Sequence, residues 1–152
     1  MEIIKKIIKK LIQNTTNGVI LIIIGIMHTQ FALSKEVFGQ KFLEFSKSYF
    51  FKISKGTDEL PIVLGQTNLD AFAAFWFFYF GILLFPLGML LHSIEKDGKI
   101  IPTSFTISYL IVVIIGCYMI PNSGMTVFML PHAIYMLVRN FLKAKKNILF
   151  NV

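Results

Sequence analysis

The chain has 152 residues, 55% of them apolar and only 15% charged, with a net charge of +7. That length suits one domain, and the apolar excess, with a mean hydropathy of +0.70, excludes a disordered chain and argues against an ordinary soluble enzyme. The lone cysteine, Cys117, excludes an internal disulfide framework.

Residues 1–16 open with MEIIKKIIKKLIQ, in which Ile3, Ile4, Ile7, Ile8, Leu11 and Ile12 take one side of a helical wheel and four lysines the other. This pattern predicts a basic amphipathic helix lying on an anionic cytoplasmic leaflet, or a charge cluster that only enforces topology. Asn14, Thr15 and Thr16 are capping candidates that separate it from the first apolar stretch. A transmembrane helix needs about 20 mainly apolar residues. Residues 17–34 supply the first span, 69–94 the second, 102–120 the third and 124–142 the fourth. Ala32-Leu33-Ser34 resembles a signal-peptidase site, but the first span reads as a retained helix. Between the first two spans lies an outer loop, 35–68, in which Phe38, Phe42, Phe45, Tyr49 and Ile53 form a helical stripe. The segment Val37 to Ile53 therefore reads as an amphipathic helix on the outer leaflet or over the bundle's outer mouth; Gly56 to Asn68 has no strong pattern. Pro121-Asn122-Ser123-Gly124 makes spans three and four an antiparallel hairpin. Residues 143–152 form a basic tail. The expected fold is an all-α four-helix membrane bundle.

Charge sets its orientation. Ten of the fifteen basic residues flank the first span's start, the second connection and the last span's end, whereas the other five lie in the outer loop among acidic residues. The positive-inside rule then puts both termini in the cytoplasm.

Small residues recur at helical spacing: Gly18 and Gly25 in the first span, and Ala74, Gly81 and Gly88 in the second. Such stripes let helix backbones approach closely; a groove for a flat ligand is the functional alternative. Pro86 and Pro131 each free a carbonyl four residues back and are expected to kink their helices. Polar groups inside hydrocarbon are costly and therefore informative. His28, Gln30, Asp70, Trp76, Tyr79 and His132 all fall in the outer half, which makes them candidate ligand-binding residues. For His28 and His132 the alternatives are bonds that fasten neighbouring helices, proton transfer, or a metal or haem. His92 reads as an interfacial anchor and Cys117 as a small core residue. In Phe75-Trp76-Phe77-Phe78-Tyr79-Phe80 the aromatics point all round the helix, for packing or as a stacking platform. No catalytic residue, metal site or cofactor is specified, and the short basic clusters suit anionic lipid rather than nucleic acid.

Three segments, IGIMHTQFAL, AFWFFYFGILLFPLGMLLHSIEKDGKIIP and IPNSGMTVFMLPHAIYML, resemble a bacterial family of small integral membrane proteins known as domain of unknown function 6463. The likeness covers most of Gly18 to Leu137, with landmarks at His28, Phe75-Trp76-Phe77, Gly81, Gly88, Pro102, Pro121 and Ser123-Gly124. The chain departs from the pattern at Met125-Thr126, where an aromatic is expected, and in carrying His132. The resemblance implies a membrane topology and a role for His28 without naming a reaction. Three functions stand as expectations. The first is binding of a small hydrophobic or lipid-like ligand in the outer half. The second is a non-enzymatic accessory, immunity or homo-oligomeric role alongside another membrane protein. The third is haem, metal or proton-transfer chemistry. A non-enzymatic role is favoured.

Overall fold

The computed structural model describes residues 15–49, 62–63, 66–67 and 69–150. It is all-α, with five helices among those residues: α1 (Asn17–Ala32), α2 (Gly39–Tyr49), α3 (Leu69–Lys96), α4 (Thr103–Met119) and α5 (Leu130–Phe150). The expected amphipathic helix of residues 1–14 lies outside the described residues. A two-residue antiparallel pairing, β1 (Ile62–Val63) with β2 (Gln66–Thr67), occupies the loop that shows no pattern in the sequence. Two helical segments are long and apolar enough to cross a membrane, Ala73–Lys96 and Met125–Lys145. α1 and α4 are apolar but shorter, at 16 and 17 residues. Their rise of about 1.5 Å per residue gives roughly 24–26 Å, against about 30 Å of hydrocarbon.

Local chemistry explains the boundaries. α1 begins where Thr16 caps it: the Thr16 hydroxyl accepts from the Val19 amide, 3.2 Å away. α3 runs unbroken through Pro86 and stops at Lys96. There Gly98 takes φ 75°, and the Gly98 and Lys99 amides return to the Glu95 and Ile94 carbonyls in a Schellman motif. α5 extends past the expected end of the span at Leu142 and carries the basic residues on as helix to Phe150. Before it, Met125–Met129 forms a π-helical turn, closed by the Leu130 amide on the Met125 carbonyl. Pro131 accounts for this turn, since its ring nitrogen cannot donate to Val127 and a widened turn accommodates the missing bond.

The chain forms two compact units, residues 25–84 and residues 1–24 with 85–152, so that α1 and α3 each contribute to both. In the 25–84 unit, Phe38 just before α2 and Phe42 and Phe45 within it pack on α3; the rest of the expected helix, beyond Tyr49, lies outside the described residues. Phe38 meets Phe77 at 5.2 Å between ring centroids, Phe42 meets Phe78 at 4.4 Å, and Phe45 meets Phe75 at 5.1 Å. Each such pair contributes about 0.5–1.5 kcal/mol beyond its burial. In the other unit, Leu21, Leu91, Ile101, Val113, Met129, Ala133 and Met136 form the buried apolar core. There α1 and α3 approach closely at Gly18 and Gly88, where a Cβ on Gly18 would overlap the Gly88 carbonyl oxygen and the His92 amide nitrogen.

Candidate functional site

The expected site residues divide between the two units. In the 25–84 unit, His28 sits half-buried on α1, and its Nε2 lies 2.8 Å from the Phe77 carbonyl of α3. A carbonyl only accepts, so Nε2 carries the proton and donates it. The His28 ring also packs on Phe77 and meets Phe80 edge-on, at 4.4 and 5.4 Å. Gly81 makes room for this contact: a Cβ there would meet the Thr29 hydroxyl and come within 3.0 Å of His28 Cδ2. Thr29 itself donates to the carbonyl of Gly25, which is buried, as is Ala74. Here His28 fastens two helices.

The six-residue aromatic run splits by face. Phe75, Phe77 and Phe78 turn inward to α2 and His28, whereas Trp76, Tyr79 and Phe80 are exposed. Trp76, Tyr79, Phe80 and Leu83 stand at helical spacing and form one open stripe along α3. Trp76 lies edge-on to Tyr79 at 6.1 Å, and Phe75 stacks on Tyr79 at 5.4 Å, which fixes both rings of the stripe. Gln30 and Asp70 are exposed in the same unit.

His132 belongs to the other unit, in a buried polar cluster that starts from Glu95 near the end of α3. One Glu95 oxygen accepts from the Asn17 amide at 2.6 Å and the Gly18 amide at 3.4 Å; the other accepts from the Asn17 side-chain amide at 2.8 Å. With Thr16 on the Val19 amide and the Thr16 carbonyl taking the Ile20 amide, the first four N–H groups of α1 all have partners. A carboxylate at a helix N-terminus also suits the macrodipole. From the same end, His132 Nε2 donates to the Asn17 carbonyl at 3.2 Å, and its Nδ1 shares a hydrogen bond with the Tyr109 hydroxyl at 3.2 Å. Lys143 approaches Glu95 at 3.9 Å, and His92 Nδ1 bonds the Thr16 hydroxyl at 2.8 Å. Asn140 ties α5 to the Ile101 carbonyl at 2.7 Å.

Sequence reasoning missed Asn17, Glu95 and Tyr109. It also placed the polar remainder of the spans mainly toward the outer half, whereas the densest set of bonds surrounds the first residue of α1. One signal was available: Glu95 stands three residues after His92 on a helix face, and an acidic residue near a span end can cap a neighbouring helix. Among the described residues no group of three or more His, Cys, Asp or Glu side chains could hold a metal ion.

A family model described as a family of unknown function, DUF6463, matches residues 13–142. The chain belongs to that family. No curated protein and no solved structure matches the chain.

Proposed function

We propose that this is a four-span protein of the bacterial inner membrane, with both termini cytoplasmic, that holds a small hydrophobic or lipid-like molecule against α3. The observation that carries the reading is the divided aromatic run. Trp76 and Tyr79 remain 48% and 38% exposed while the rings between and beside them are packed. An apolar tail along Trp76, Tyr79, Phe80 and Leu83 would leave a polar head at the outer rim, where Gln30 and Asp70 offer an amide and a carboxylate. His28 acts by positioning Phe77 and Phe80, while His132 serves the Glu95 cluster.

Four spans rest on the apolar character of α1 and α4 and on the side-to-side distribution of lysines. A slightly thinned bilayer accommodates the two shorter helices at small cost. An accessory role beside another membrane protein is favoured by α4, which leaves Ile107, Ile111, Val112, Ile114 and Ile115 exposed. A homo-oligomer sealed through glycine stripes is disfavoured, because Gly18, Gly81 and Gly88 are filled from within the chain.

Trp76 is the sole tryptophan, so its fluorescence reports on this face alone. Reconstituted in vesicles carrying a minor fraction of brominated single-chain lipid, the protein should be quenched well beyond that fraction, and Tyr79→Ala should bring quenching down to it. Quenching that tracks bulk bromine content in both proteins would show an ordinary lipid-facing surface and overturn the proposal.

A further inference from the structure

Beside the start of α1 stands a cation that has no counter-ion among the described residues. The ion pairs there are Lys41–Glu44, Lys99–Asp97 and Lys143–Glu95; Arg139 enters none of them. Its Nη1 donates to the Thr15 carbonyl and to the Tyr135 hydroxyl, the latter at 3.2 Å. The guanidinium also leans over the Tyr135 ring, 5.8 Å from its centroid. Among the described residues these contacts use one of three nitrogens, leaving the donors of Nε and Nη2. The group is half-buried, three residues before the expected inner boundary of the fourth span. An unpaired guanidinium at that depth is costly, and its planar fork matches two oxygens of a phosphate.

Glu95 does not supply the missing charge. Its carboxylate is 3% exposed, turned to the α1 amides, and its cationic neighbour is Lys143. Lys143 lies four residues beyond Arg139, on the same face of α5, with its side chain 36% exposed. Lys143 therefore faces a carboxylate already engaged by three N–H donors, and Arg139 faces no carboxylate among the described residues. The surplus is positive, at the level of lipid headgroups.

We propose that Arg139, supported by Lys143, binds the phosphate of an anionic phospholipid at the inner-leaflet end of α5. The lipid's chains would run along the exposed apolar positions of the same helix, Val138, Phe141 and Leu142. A headgroup there bridges α5 to the start of α1 through the Thr15 contact, so that binding steadies the segment on which the Glu95 cluster depends. This site rests on the proposed orientation of the fourth span but is distinct from the α3 aromatic face, and either site can exist without the other.

The test uses the full-length protein in detergent, with bound lipid counted by native mass spectrometry. The probes are phosphatidylglycerol, phosphatidylcholine with the same chains, and inorganic phosphate. Phosphatidylglycerol should bind about tenfold more tightly than phosphatidylcholine, as a charge-assisted fork requires. Arg139→Gln should abolish the preference, Arg139→Lys should retain part of it, and Lys143→Gln should weaken it severalfold. Lys145→Gln, on an exposed residue of the same helix, should leave it unchanged. Equal binding of both lipids by the native protein would overturn the proposal, as would an undiminished preference in Arg139→Gln. If Arg139→Gln fails to fold, Lys143→Gln set against Lys145→Gln decides: equal losses mean general surface charge and overturn it. Displacement of phosphatidylglycerol by inorganic phosphate at matched concentration would identify a free-phosphate site and overturn the lipid assignment.

Discussion

Gly18→Leu is expected to produce the largest loss of stability of any single replacement in α1. The atoms in the way are the Gly88 carbonyl oxygen and the His92 amide nitrogen, which belong to a helix backbone and cannot rotate aside. Overpacking among side chains costs about 1–3 kcal/mol, and a clash with rigid backbone exceeds that because whole helices must separate. Separation here also pulls the Asn17 and Gly18 amides off Glu95, so the carboxylate loses partners in the same event. Together the effects amount to roughly 4 kcal/mol or more. Gly88→Leu should cost less, because its first obstacle is the Ile22 side chain at 2.6 Å, although the Gly18 carbonyl oxygen is next at 2.8 Å. Gly124→Ala should be nearly neutral, since its nearest neighbour is a Phe128 ring carbon at 3.9 Å. Equilibrium unfolding in mixed micelles gives the order directly. A Gly18→Leu midpoint close to that of the native chain would show that α1 and α3 do not meet as described.

Glu95→Ala is the second large effect expected. The substitution removes the acceptor for two backbone amides at the start of α1 and for the Asn17 side chain, and leaves Lys143 without its carboxylate. Removing one partner of a buried charged network costs about 3–5 kcal/mol. Glu95→Gln keeps the shape and one acceptor oxygen but sets an amide group against a donor, for roughly 1–3 kcal/mol. Lys143→Ala should cost less than about 1 kcal/mol, because its side chain is 36% exposed and stands 3.9 Å away. The same unfolding series should therefore rank Ala at 95 above Gln at 95, and both above Ala at 143. If the Lys143 variant proved as damaging as Glu95→Ala, the ion pair rather than the helix cap would hold this end together.

These two effects mark where the sequence was readable and where it was not. The helices could be placed because apolar runs and the Pro-Asn-Ser-Gly turn are local features, each interpretable within a few residues. The stripe Phe38, Phe42, Phe45 predicts an amphipathic helix on the outer leaflet or over the bundle's mouth, and the α3 aromatics that receive it lie in the run of six that stands out in the sequence. The role of Glu95 was hidden because it depends on a partner 78 residues away. Tyr109 reads as one more residue of an apolar span until the fold brings His132 within its reach. The partner of His28 is a backbone carbonyl, which has no signature in any sequence. Pro131 signalled a disturbance but not its form, and the widened turn before it is one of several ways a helix can absorb a missing donor.

The proposed function rests on four membrane crossings with both termini cytoplasmic, as the distribution of basic residues along the chain predicts. Because Cys117 is the sole cysteine, Cys117→Ser gives a background for single-cysteine labelling with a membrane-impermeant maleimide on spheroplasts. Ser34→Cys and Ser123→Cys should label on intact spheroplasts, whereas Asp97→Cys and Lys145→Cys should label only after permeabilisation. Labelling of Ser123→Cys and Asp97→Cys from the same side would mean that α4 does not cross the membrane, and would contradict the four-span topology.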